Sequence, residues 1–75
     1  MVEFKNIVAQ ADILGGKPIV KGTRISVELI LEWLATGATV DTIVQQFPQL
    51  TKEAVHEAIL YASRSMKNEI VIEAI

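Results

Sequence analysis

Three hydroxyl residues, Ser26, Thr39 and Thr51, each stand directly before a run of apolar residues with helical spacing, and they divide most of the chain into three short helices. After Ser26 the spacing predicts a helix from Val27 to Thr36, with Val27, Ile30, Leu31 and Leu34 on one buried face and Glu28 opposing the helix dipole. Gly37 stands where a left-handed C-cap belongs. After Thr39, Val40, Ile43, Val44 and Phe47 form the apolar face of a second, shorter helix that Pro48 stops. After Thr51 comes a third, with Glu53 in its first turn and Val55, Ala58, Ile59, Ala62 and Met66 expected to be buried.

Upstream lies a dense segment from Gly15 to Ser26, in which Ile19-Val20 and Arg24-Ile25 have the residue types of short strands. Lys21-Gly22-Thr23 between them supplies the glycine that a tight reversal requires, so a basic β-hairpin is expected. Gly16-Lys17 resembles the end of a phosphate-binding loop, but the Ser or Thr that should follow the lysine is replaced by Pro18, which has no N–H to offer. Nucleotide binding is thereby disfavoured. Residues 1–12 carry Phe4, Ile7 and Val8 as apolar anchors, able to form a short strand or to lie across the core. The expected fold is mainly α with a short N-terminal β-hairpin and a three-helix, homeodomain-like helix-turn-helix core. One domain is expected, with residues 1–25 as N-terminal segment and hairpin, 26–67 as helical core and 68–75 as an apolar tail.

With 75 residues, folding buries roughly 60% of the area that the unfolded chain exposes, a thin margin for an isolated domain. There is no cysteine to add a disulfide or a thiolate metal site, and 51% of the residues are hydrophobic. Association is the remaining route, so a homodimer or higher oligomer is expected. Leu29 and Trp33 lie four apart on a second apolar stripe, covered either by the N-terminal region or by another copy. The tail Glu69–Ile75 reads as a strand, with Ile70, Ile72 and Ala74 on one face and Val71 and Ile75 on the other. Ile70, Val71, Ile72 and Ile75 therefore join Leu29 and Trp33 as candidate partner or dimer contacts, the alternatives being a continued third helix or a frayed end.

No apolar run approaches the eighteen or so residues of a membrane span and no leader pattern opens the chain, so a cytoplasmic protein is expected. Enzymatic constellations are absent: His56 is the single histidine, and only Glu53 or Glu57 stand near it on the same helix. No catalytic residue, metal, cofactor or small-molecule ligand is expected. Nucleic acid must be engaged locally, because the net charge is −2. One candidate surface is the hairpin, where Lys17, Lys21 and Arg24 meet no acid between Asp12 and Glu28. Arg24 has the alternative of an internal bond that fixes the hairpin to the helices. The other surface is the start of the third helix, where Gln49, Lys52 and His56 are candidate DNA contacts. Glu53 and Glu57 on the same helix oppose phosphate there.

Ile13-Leu14-Gly15-Gly16-Lys17-Pro18, then Gly22-Thr23-Arg24-Ile25-Ser26-Val27, Leu34-Ala35-Thr36-Gly37-Ala38 and Phe47-Pro48-Gln49-Leu50-Thr51 together resemble the family catalogued as domain of unknown function 433. The resemblance runs from about Ile13 to Ala62. Members of that family look like VapB-type antitoxins. The resemblance implies a helix-turn-helix fold and a place beside a PIN-like ribonuclease toxin in a bacterial or archaeal toxin–antitoxin pair. The expected function is that of such an antitoxin, dimeric, with operator DNA as a further partner. A protein-only oligomerisation or adaptor module built on the same core, without DNA binding, is the alternative.

Overall fold

The computed structural model describes residues 4–66. In chain order these form strand β1 (Ile7–Ala9), strand β2 (Pro18–Val20), helix α1 (Val27–Ala35), helix α2 (Val40–Gln46) and helix α3 (Lys52–Ser65), with a one-turn 3-10 segment at Leu14–Gly16 between the strands. Three helices thus pack with an N-terminal two-stranded antiparallel sheet, the architecture expected from the caps and the glycines.

All three hydroxyl caps act. Ser26 Oγ accepts from the Leu29 N–H at 3.0 Å, Thr39 Oγ1 from Thr42 at 3.1 Å and Thr51 Oγ1 from Ala54 at 3.0 Å. Each hydroxyl thereby satisfies one of the amides that a helix start leaves without an internal partner. Thr42 Oγ1 in turn accepts from the Thr39 N–H at 2.9 Å, closing a reciprocal capping box. At the far end of α1, Gly37 takes φ +111°, and the Ala38 N–H reaches back to the Trp33 carbonyl at 3.0 Å while Gly37 N–H reaches Leu34 at 3.2 Å. That pair of bonds is a Schellman motif, and it turns the chain into α2. Phe47, at φ −126° and ψ 81° before Pro48, has left the helical region and ends α2.

The sheet differs from the expected hairpin. β1 pairs with β2, Ile7 opposite Val20 and Ala9 opposite Pro18, so the strand partner of β2 is the N-terminal segment, on the edge opposite the one that Arg24-Ile25 approaches. The tight turn at residues 20–23 does form, with the Thr23 N–H on the Val20 carbonyl at 3.0 Å and Gly22 at φ +80°. Beyond it only an Ile19–Ser26 bridge and a 2.9 Å bond from the Val20 N–H to the Ile25 carbonyl survive. The reason is that Ser26 is already committed to capping α1. Two residues between the turn and the cap leave no length for a strand.

Ile19, Ile30, Leu50 and Val55 are the largest side chains with essentially no exposed surface, and they come from β2, α1, the α2–α3 turn and α3. On α3 the buried stripe is Ala54, Val55 and Ala58, whereas Ile59 and Met66, expected inside, are 37% and 51% exposed. Small Ala54 lies fully against the core, which rotates the inward face away from Ile59. Met66 follows the last residue of α3 and lies on the lining of an open groove beside the start of α1, which leaves half of its surface in water. No helix among the described residues is long and apolar enough to cross a membrane.

Ile30→Ala is expected to cost about 2–5 kcal/mol, enough to unfold much of a domain of this size, while Leu29→Ala costs less than about 1 kcal/mol. Urea denaturation followed by far-UV circular dichroism checks the contrast between these adjacent positions.

Candidate functional site

The α2–α3 unit is a short helix, a tight turn and a longer helix. Leu50 pins the turn by its burial, and its N–H bonds the Phe47 carbonyl at 2.8 Å. Around that anchor Gln49, Lys52, Glu53 and His56 are all exposed at the entrance of α3. Lys52 Nζ lies 2.9 Å from Asp41 of α2, a pair with more than half of each side chain in water. Such a pair contributes little and yields readily to a competing anion.

Glu57 is placed differently from its sequence neighbours. It is half-buried, and its carboxylate accepts from the Asn6 backbone N–H at 3.3 Å and from the Asn6 side-chain amide. Asn6 in turn offers its carbonyl to the Lys21 N–H at 2.7 Å. Glu57 therefore clasps the segment leading into β1 onto the middle of α3, and it does not confront a ligand on the outer face. Sequence reasoning missed this clasp. Its partners are 51 residues apart, so no local pattern reports it.

The six candidate DNA contacts fall into separate places. Lys17 approaches Glu28 of α1 at 3.4 Å and stands beside the last turns of α3, whereas Lys52 is at the opposite end of that helix. Lys21 and Arg24 are exposed on the turn between β2 and α1 and form no ion pair among the described residues. Arg24 thus makes no internal salt bridge there.

Of the candidate partner contacts, Trp33 is half-buried and stacks on Phe47, centroids 4.5 Å apart and planes 9° from parallel. The C-terminal end of α2 covers the indole, a third arrangement beside the two expected for it. Leu29 keeps 36% of its surface exposed. Ile70, Val71, Ile72 and Ile75 lie outside the described residues.

One concavity is prominent, an open groove of about 300 Å³ between the start of α1 and the end of α3. Pro18, Val27, Leu31, Tyr61, Ala62 and Met66 form its apolar lining, and Lys17 and Glu28 also contribute. Tyr61 is fixed from behind by Phe4, in an edge-to-face contact at 5.3 Å. No sequence pattern reports it, because its walls come from three separate elements.

The family model described as "Protein of unknown function (DUF433)" matches residues 7–62. An uncharacterised protein, y4eO, of Sinorhizobium fredii is 36% identical over 56 residues, a match covering 75% of this chain and 25% of the relative. The chain thus spans about a quarter of the length of that curated relative. The crystal structure of a DUF433 member protein from Anabaena variabilis superposes with a TM-score of 0.78 at 24% identity, over 83% of this chain and 61% of that one.

Glu57→Ala is expected to lower stability by about 1–3 kcal/mol through loss of a charge-assisted clasp, whereas Glu53→Ala, at an exposed position, changes it little. Native-state amide exchange locates the effect: protection of Lys21 and of β1 falls while that of α1 is retained.

Proposed function

The chain belongs to the family described as Protein of unknown function (DUF433), and from that premise we propose that it is the antitoxin-like member of a type II toxin–antitoxin pair, acting in the cytoplasm. It binds operator DNA as a dimer and neutralises a PIN-like ribonuclease. The observation that carries this reading is the α2–turn–α3 unit, which leaves Gln49 exposed in the turn and Lys52 and His56 exposed on the first turns of the longer helix. Lys21 and Arg24, on the turn between β2 and α1, are further exposed cations suited to phosphate. The Lys52–Asp41 pair is no obstacle, since it is solvated and phosphate offers a stronger partner. In the same reading, the apolar tail at residues 69–75 supplies the surface that masks the toxin.

A second reading, a protein-only oligomerisation or adaptor module, draws on a specific set of contacts. Asp41 and Glu28 already neutralise Lys52 and Lys17, and Glu53 is exposed in the first turn of α3 on a chain of net charge −2. Those acids oppose counterion release.

A gel shift with the DNA upstream of the gene, run as a salt series with the partner present and absent, separates the readings. Binding should weaken steeply with salt. Lys21→Ala with Arg24→Ala should flatten the slope of log affinity against log salt by about 3–4 for a dimer, four phosphate contacts being lost. Absence of any retardation at low salt, alone or with the partner, would remove the DNA role and leave the adaptor.

A further inference from the structure

We propose that the groove between α1 and α3 is a docking site for an extended aliphatic segment, and that its occupant is residues 69–75 of the same chain. The inference stands on the groove and the sequence that follows it, not on the toxin–antitoxin reading.

The lining selects the class of occupant. Pro18, Val27, Leu31, Tyr61, Ala62 and Met66 present carbon with few polar groups, a surface that rewards aliphatic side chains. Its polar groups include the Lys17–Glu28 pair, already engaged with itself at 3.4 Å. A β-branched strand that inserts one face and keeps the other in water meets those terms.

The tail has that pattern. In an extended conformation Ile70, Ile72 and Ala74 share one entirely apolar face, and Glu69, Val71, Glu73 and Ile75 share the other. The first face fits the groove. The second returns both carboxylates to solvent.

Tether length decides between this chain and another copy. Met66, the last described residue, is itself part of the lining, and Ile70 follows four residues later, within about 14 Å at full extension. Lys67-Asn68 intervenes, and asparagine tolerates the left-handed backbone of a reversal. A tether this short holds its end at an effective concentration on the order of millimolar, against which a second chain at micromolar levels competes poorly.

The native chain contains no cysteine, which makes an engineered pair clean to read. Lys17→Cys is combined in turn with Val71→Cys and Glu73→Cys, with Glu53→Cys/Val71→Cys as the control, and each is oxidised over a dilution series. The expected result is a disulfide within one chain for at least one Lys17 pair, its yield independent of dilution and above the control. Adding Ile70→Asp with Ile72→Asp should slow that reaction roughly tenfold or more, while circular dichroism reports an intact helical core. Disulfide-linked dimers alone would assign the groove to a second copy. A rate equal to the control, or unchanged by the two aspartates, would also overturn the proposal. The assay contains neither DNA nor toxin, so its failure and that of the antitoxin reading are distinguishable.

Discussion

Ile30 of α1 and Val55 of α3 expose none of their surface, and they belong to one apolar cluster that also takes in Val20 of β2, Ile43 of α2 and Leu50 of the connecting turn. Close packing of α1 on α3 is therefore the condition under which the other elements have anywhere to attach. Alanines at 54 and 58, both buried, keep the inward side of α3 low enough for larger side chains from the other elements to meet there. A domain this small has little burial to spare, and its core residues come from every element at once.

From that packing α3 acquires three zones. Its first turns are polar and accessible. Its middle carries Glu57, which holds the N-terminal segment, and its last turns wall a groove beside the start of α1. The cations are distributed accordingly: Lys52 at the entrance, Lys17 at the exit, and Lys21 and Arg24 on a turn whose start is tied through Asn6 to the middle. These four candidate cations do not form a single continuous basic patch, and two of them already face acids. Recognition of a polyanion would draw on separate points spaced by the helix rather than on one concentrated surface.

The helices were legible because their determinants are local. A hydroxyl cap, a four-residue apolar period and a glycine terminator act within one or two turns, and Ser26, Thr39, Thr51 and Gly37 all perform the roles that their positions suggest. The partner of β2 was not legible. Ile7–Ala9 is three residues long, and its placement is fixed by Asn6 and Glu57, which nothing in the chain marks as neighbours. Ile59 satisfied the period and yet keeps 37% of its surface exposed, while Ala54 takes a fully buried place. Trp33 and Phe47 each looked apolar on its own helix, but their stacking depends on how α1 and α2 are set against one another. The candidate DNA residues at the α3 entrance were found by pattern, whereas the groove, assembled from three elements, had no pattern to find.

The clasp between Asn6 and Glu57 also orders events during synthesis. Asn6 leaves the peptidyl transferase centre 51 residues before its carboxylate partner exists, so the amino-terminal strand waits while α1 and α2 are made. Closing a loop of that span costs more than forming the local contacts of the helices, and contacts of such separation form late in folding. A nascent chain halted before α3 would display Ile7 and Val8 without the helix that secures them, an interval in which the strand is open to any neighbouring edge.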